Sequence, residues 1–446
     1  DPGGRLMAGL PIAQIDTGDT AWMLVASALV LLMTPGLGLF YAGLVRAKNS
    51  LNTFMMCIAA IAIAVVTWAA VGYSLAFSEG NDIIGGFDFA FLQGVTFEPL
   101  EGQTIPHVVF FAFQTTFVVL TTALISGAVV ERMRFSSYLV FAALWSTLVY
   151  SVLAHWAFGP GWLLSGGTLD FAGGVAVEMG SGFSALAAAL VVGARKDYGR
   201  QALLPHNGVY VLLGASILWF GWFGFNGGSG FGTGQNSQLA FINTMLTPAC
   251  TLAVWMALDA LRSRKVTAIG AATAIVVGCV GITPAGGYVS PGFAMLLGAV
   301  VAVPCYALIA YRTRTRVDET LDVLAAHGVA GFLGILFIGF FAQAAWNGIS
   351  DGWVFGNFDQ MVDQFLAAVA APAYAFGATF VLLKLIGAVM PLRTTEREEA
   401  IGMDITHHGE EAYVTGEGAL LITPEFTVDE KVPLVSEEPL PATPPG

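Results

Sequence analysis

The chain has 446 residues, of which 56% are hydrophobic and 11% charged, and its 18 basic and 31 acidic residues give a formal net charge of −13. A soluble domain carries about a quarter charged residues, so this composition excludes a soluble globular protein and an intrinsically disordered one. The shortage of Lys and Arg argues against a nucleic-acid partner. A chain of this length is expected to form one membrane bundle.

A spanning helix needs about 20 apolar residues. Eleven such runs follow in chain order: 21–45, 51–77, 108–130, 138–156, 173–192, 208–228, 239–261, 268–282, 293–311, 324–345 and 365–390. The eighth is short and leans on Gly and Thr. The runs are continuously apolar rather than alternating, which predicts helices and not a barrel. The fold class is therefore an all-α polytopic membrane protein with eleven transmembrane helices.

Basic residues set the orientation. Arg46 and Lys48 follow the first helix, Arg132 and Arg134 the third, and Arg195, Lys196 and Arg200 the fifth. Arg262, Arg264 and Lys265 follow the seventh, and Arg312, Arg314 and Arg316 the ninth. Lys384 lies near the end of the eleventh, and Arg393, Arg397 and Lys431 follow it; only Arg5 lies elsewhere. The positive-inside rule then predicts an N-terminus outside and a C-terminus in the cytosol. Residues 1–19 become an extracellular segment, 20–390 the membrane domain, and 391–413 a cytosolic region. Residues 414–446, rich in Pro and Glu, are expected to be a disordered tail.

Cys57, Cys250, Cys279 and Cys305 all sit in apolar runs without CxxC spacing, so disulfide and metal roles are not expected. The chain opens on Asp1 rather than Met, as expected of a mature or trimmed chain.

Helices five and ten share an echo. Thr168-Leu169-Asp170 precedes Glu178, and Thr320-Leu321-Asp322 precedes His327. Glu178 is followed by Gly182-Phe183 and His327 by Gly331-Phe332, at the same offsets. If helices one to five and six to ten are two halves, each with an odd number of spans, they insert with opposite orientation. Such inverted repeats place a substrate site at their interface near the midplane.

An acidic group at the bilayer centre costs about 2.5–3.5 kcal/mol on insertion scales and is a functional candidate by default. Glu178, in VAVEMGSGFSALAAALVVG, is the clearest case. The bland alternative is a protonated Glu bonded to a carbonyl. His327 alone reads equally as a structural group; the echo with Glu178 raises it. Asp170 suits an N-cap, whose carboxylate accepts free N–H groups. His155 is expected to be structural, and His107, His206, His407 and His408 non-catalytic.

Longer motifs now carry a resemblance: TPGLGLFYAGLVRAKN from Thr34, GAVVERMRF from Gly127, DFAGG from Asp170, GWFGFNGGS from Gly221, TPAGGYVSP from Thr283 and HGEEAY from His408. From about Thr20 to Tyr413 the chain resembles the Amt/Mep branch of the ammonium transporter (Amt/Mep/Rh) family. The resemblance implies eleven helices as an inverted five-plus-five repeat with an added helix, N-out and C-in, and a homotrimer with one pore per subunit in the cell membrane. Phe117 and Phe225 resemble the stacked phenyl pair closing the outer pore, and Ser229 the hydroxyl of the recruitment site. Phe158 stands where the family usually has a Trp, with Trp162 as a nearby substitute. Asp170 resembles the acid below that site, and Trp222 the pore-lining Trp.

The chief departure is at the pore centre, where the family's typical pore has two histidines. His327 matches one and Glu178 stands at the other, as in a subset of the family. The resemblance implies recruitment of ammonium, deprotonation, passage of ammonia and reprotonation, with no cofactor or metal. A Glu–His pair is expected to share a proton, to alter the pH dependence and to weaken rejection of potassium. The alternative is an ammonium sensor signalling through a separate partner. An enzyme is disfavoured, because no nucleophile or metal-ligand cluster accompanies the pair. The region from Arg393 to Tyr413 is similar to the family's regulatory segment, which implies a PII-type protein as partner.

Overall fold

The computed structural model describes residues 15–413; Arg5 and most of the expected extracellular segment, and the expected tail 414–446 with Lys431, lie outside the described residues. Among the described residues the regular structure is helical, with only three isolated bridges between extended residues. Ten helices are long and apolar enough to cross a membrane, and one shorter apolar helix of 10–17 residues joins them. In chain order they are α1 (Thr17–Leu44), α2 (Ala47–Phe77), α3 (His107–Val129), α4 (Phe135–Ser165), α5 (Gly174–Val192) and α6 (Gly208–Gly228). They continue as α7 (Gln235–Ser263), α8 (Ala268–Ile282, the shorter one), α9 (Pro291–Arg312), α10 (Leu324–Phe341) and α11 (Phe358–Val389). Two short helices close the described chain, α12 (Glu396–Ile401) and α13 (Met403–His408).

Side chains explain the boundaries. Asp16 accepts the Asp19 N–H at the start of α1, Asn207 those of Val209 and Tyr210 at α6, and Thr267 that of Gly270 at α8. Such caps satisfy N–H groups that the first helical turn leaves free. The run expected to reach residue 345 ends at Phe341, because Ala342 turns extended before a one-turn helix at Ala344–Asn347. The last membrane helix starts at Phe358 rather than 365. Its polar first turns are not in lipid: Gln360 and Gln364 are buried and donate to Gly167 O at 3.0 Å and Leu169 O at 2.7 Å.

The most extensive pairing in the bundle is α1 along α6, and α5 crosses α10. In lipid there is little apolar drive between helices, and small residues let backbones approach. At the α1–α6 seam a methyl on Gly214 would meet the Phe40 backbone, and one on Gly221 would meet Met33.

The ends of α1, α3, α5 and α9 meet on one face. There Glu131, fully buried, accepts from Arg46 Nε at 3.0 Å, Asn49 Nδ2 at 2.8 Å and Arg195 Nη1 at 2.6 Å. Arg195 continues to Asp318 at 2.8 Å, and Arg132 donates to the Thr320 hydroxyl at 2.7 Å. Residues after α11 lie against the same face. Arg134 N donates to Leu392 O at 2.9 Å, Met403 N to Asn49 Oδ1 at 2.8 Å, and Lys196 N to Glu399 Oε1 at 2.6 Å. On the opposite face Asp19 accepts from Thr104 Oγ1 at 2.6 Å and Thr233 N at 2.7 Å, which ties the start of α1 to the loops before α3 and α7.

Candidate functional site

Both residues singled out by the echo lie in π-helical turns, Gly174–Met179 opening α5 and Leu324–Val329 opening α10. Such turns widen the helix by one residue, redirect its side chains, and concentrate at functional sites. Here they bring Glu178 and His327 together. Glu178 Oε2 lies 2.8 Å from His327 Nδ1, and both residues are buried. The second carboxylate oxygen, Oε1, has no hydrogen-bond partner.

The glycines of the echo explain how the helices come so close. A methyl on Gly182 would fall on the backbone of Gly328, and one on Gly331 would meet Glu178 Cβ at 2.5 Å. Each glycine, four residues after one member of the pair, thus makes room for the opposite helix.

The capping acids correct one part of the echo. Asp170 Oδ1 accepts the N–H groups of Gly173 at 3.0 Å and Gly174 at 2.7 Å, and Oδ2 that of Val175 at 2.8 Å. The carboxylate that does the same for α10 is not Asp322. It is Glu319, which accepts from Val323 N at 2.8 Å and Leu324 N at 3.2 Å. Asp170 stands eight residues before Glu178 and Glu319 eight before His327, so the structural register is three residues off the shared Thr-Leu-Asp string. Asp322 instead pairs with Arg312 and adopts a left-handed backbone at φ 59°.

Two cavities approach the pair from opposite faces. One, the outer cavity if the basic face is cytosolic as the positive-inside rule expects, has about 580 Å³ and is lined by Phe117, Phe158, Asp170 and Ser229 among others. At its floor Phe117 and Phe225 stack with ring centroids 4.1 Å apart and planes 22° apart. Trp222 lies next, its ring 5.8 Å from that of Phe225 and its Nε1 donating to Thr283 Oγ1 at 2.9 Å. The inner cavity, of about 180 Å³, is lined by His327, Asp322, Arg312 and Thr320. The order from one face to the other is therefore vestibule, phenyl pair, Trp222 with Glu178 and His327, and inner cavity.

Trp162 does not take the place expected of it. It is absent from the vestibule lining, where Phe158 and Leu164 stand, and its ring packs edge-on against Trp156 at 5.6 Å. Of the remaining histidines, His155 bonds with Ala76 O and Asn81 O, His107 with the Tyr73 hydroxyl, His206 with Val45 O and His408 with Asn52 Oδ1, while His407 Nε2 is buried without a partner among the described residues. No cluster of three or more metal-ligating side chains occurs among the described residues, and the four cysteines are unpaired. Sequence reading missed Gln114, which lines the vestibule, held Glu131 only within a motif, and used Arg132 and Arg195 only as charges. For Gln114 a signal existed: an amide within an apolar run, spaced between Phe110 and Phe117 on one helical face.

A bundle of apolar helices with cavities directed from both faces toward one buried acid–base pair defines a polytopic membrane protein built for passage. The model of the Ammonium Transporter Family matches residues 21–413. The ammonium transporter of Bacillus subtilis is 43% identical over 399 residues, 89% of this chain and 98% of that protein. The ammonium transporter of Aquifex aeolicus is 43% identical over 406 residues, 90% of this chain and 94% of that one. The crystal structure of Candida albicans Mep2 superposes with a TM-score of 0.82 at 35% identity, covering 86% of this chain and 88% of that one. The chain belongs to the ammonium transporter family, and it is a transporter rather than an enzyme.

Proposed function

We propose that the chain carries ammonium across the cell membrane through a passage centred on Glu178 and His327. The observation that carries this reading is the 2.8 Å contact between Glu178 Oε2 and His327 Nδ1, buried between the outer and inner cavities. Ammonium is recruited in the vestibule, where Ser229 offers a hydroxyl, Phe117 and Phe158 offer ring faces, and Asp170 supplies negative charge. A cation over a phenyl face is attracted by the ring quadrupole, less strongly than over Trp. The Phe117–Phe225 pair is the gate. Ammonium gives up a proton there, ammonia passes Trp222 to the inner cavity, and it is reprotonated on the far side. The proton crosses separately through the Glu178–His327 pair, which shares it. Net charge movement then draws on about 2.3 kcal/mol per 100 mV.

The shorter helix α8 completes eleven crossings, which puts the basic face in the cytosol and the N-terminus outside. Residues 20–390 form the membrane domain, arranged as inverted halves; the mirrored π turns, glycines and capping acids support this. Residues 391–413 form the cytosolic regulatory region, with a PII-type protein as its partner. The assembly is a homotrimer, one passage per subunit. Nothing in the described residues favours the sensor alternative.

The departure from the two-histidine centre sets the test. An acid at position 178 alters the pH dependence of uptake and weakens rejection of potassium. Ammonium currents in proteoliposomes, with potassium as competitor, are compared for the wild type, Glu178→His and Glu178→Gln. Both substitutions are expected to shift the pH profile and Glu178→His to sharpen selectivity against potassium. Wild-type behaviour of both across pH and potassium would reduce Glu178 to a structural group.

A further inference from the structure

At the end of α8 the Thr283 hydroxyl stands between two polar groups with opposite needs. Its Oγ1 accepts the Trp222 Nε1–H at 2.9 Å and donates to Cys279 O at 2.9 Å. Cys279 O does not depend on that donor, because it also accepts the Thr283 backbone N–H at 3.2 Å. The same hydroxyl lies beside the Glu178 carboxyl. There Oε2 meets His327 Nδ1 at 2.8 Å, while Oε1 is buried without a partner among the described residues. Thr283 and Glu178 are both fully buried. A buried carboxyl oxygen without a donor is costly, and a charged one most of all. A donor is thus in surplus on one side of Thr283 and missing on the other.

A hydroxyl hydrogen turns about its C–O bond without moving the oxygen. The Trp222 N–H holds Oγ1 in place whichever way the hydrogen points. Turned from Cys279 O to Glu178 Oε1, it fills the deficit and leaves Cys279 O its N–H. The charge on Glu178 decides the direction, because a hydrogen bond to an ionised acceptor is about twice as strong as one to a neutral acceptor. The other titratable groups facing Glu178 are His327 on α10, Tyr41 on α1, Cys279 on α8 and Asp170 before α5. Tyr41 donates to Leu124 O at 3.0 Å, and Asp170 is held by three backbone N–H groups, so neither supplies Oε1.

We infer that Thr283 is a positioning residue for the central pair, whose hydroxyl swings onto Glu178 Oε1 when that carboxyl gives up its proton and returns to Cys279 O when it regains one. This role rests on the reading of Glu178 and His327 as the pair that handles the proton. Thr283 keeps its own proton throughout; it favours the ionised form of Glu178 and so sets the pH at which the pair changes state.

The test uses the full chain. In detergent, infrared difference spectra across pH follow the carboxyl C=O band that Glu178→Gln removes. In proteoliposomes, ammonium currents are measured over the same pH range. Thr283→Val keeps the shape and removes the hydroxyl. The midpoint of the band is expected to move to higher pH by about one to two units, the scale of one hydrogen bond to a charged group. The pH profile of the current is expected to move the same way. Thr283→Ser restores the hydroxyl and should restore both midpoints, and in a Glu178→Gln background Thr283→Val should add no pH shift. A residue that only supports Trp222 would lower the thermal transition in both backgrounds and move neither midpoint. Should Thr283→Val not yield folded protein, Thr283→Ala takes its place. A wild type that carries no current while the band behaves as expected counts against the transport reading and not against this role. An unmoved midpoint, no titrating Glu178 band in the wild type, or a shift that persists in the Glu178→Gln background overturns the inference.

Discussion

At the outer mouth Asp170 caps α5 beside an open cavity of about 580 Å³ walled largely by phenyl rings. At the inner mouth Glu319 caps α10 from a position 1% exposed, among Asp318, Asp322 and Arg312, next to a cavity of about 180 Å³. The local task is the same, a carboxylate eight residues before a member of the central pair holding the first N–H groups of a π turn. The surroundings differ. At the Asp170 end the carboxylate accepts only backbone N–H groups and has no basic partner among the described residues. Inside, buried arginines already supply the countercharge, and the region after α11 is hydrogen-bonded over them. One device, used at the start of both α5 and α10, faces an open cavity at one end and the protein's own scaffold at the other.

The largest effect that would sharpen this contrast comes from the scaffold. Glu131→Ala leaves Arg46 and Arg195 facing each other without their carboxylate. Breaking a buried pair this way costs about 3–5 kcal/mol, so a large fall in the thermal transition of the detergent-purified protein is expected. Burial by itself would raise the Glu131 carboxyl, but Arg195 and Arg46 outweigh it and hold it below its ordinary value. A depressed acid adds stability above its unfolded pKa and loses it as the pH falls through the lower folded value. Acid sensitivity of the wild type in that range should therefore shrink in Glu131→Gln. A thermal transition of Glu131→Ala equal to wild type would break the comparison.

A smaller effect is expected at Glu319. Burial pushes this carboxyl from 4.5 up to about 7. The sign is opposite to that of Glu131: the contribution is fully present below the ordinary value and is lost as pH rises through about 7. Glu319→Gln keeps an oxygen for the cap and removes the titration. The dependence of flux on internal pH near neutrality should flatten, with outer pH held constant. If Asp170→Asn flattens the internal profile equally and Glu319→Gln does not, the two mouths are not distinguished in this way.

The smallest expected effect lies in the region after α11. Thr395 and Glu398 form a reciprocal capping box at the start of α12. Thr395→Ala removes one half of it and should cost about 1 kcal/mol. Proteolysis of that region should become faster, while ammonium half-saturation at the outer mouth stays unchanged. A change at the outer mouth would show that the two ends are coupled.

Much of the bundle was legible because lipid imposes long apolar runs, and the observed helices fall on the expected ones. The start of α11 was not, because Gln360 and Gln364 look like loop residues until the loop they bind, Gly167 to Leu169, is seen folded beside them. At the site, Glu178 and His327 stood out as charges in apolar runs. The role of Glu319 did not, because a repeated Thr-Leu-Asp string pointed to Asp322 and only the cap geometry reveals the register. The Glu131–Arg195–Asp318 web joins residues 64 and 123 positions apart, a distance over which local pattern carries no information. Trp162 failed for the reverse reason: it is near Phe158 in sequence, but the chain bends between them and its ring turns to Trp156.

The meeting of Gly182 with Gly328 has a mechanical meaning. With no side chain between the two strands of backbone, the distance from carboxylate to imidazole is set by the skeleton itself. Ordinary rotamer motion cannot spread that junction; only a displacement of α5 against α10 can. The spacing of Glu178 and His327 is thus gauged by a rigid frame, so it should answer to mutations in the glycines more sharply than to temperature.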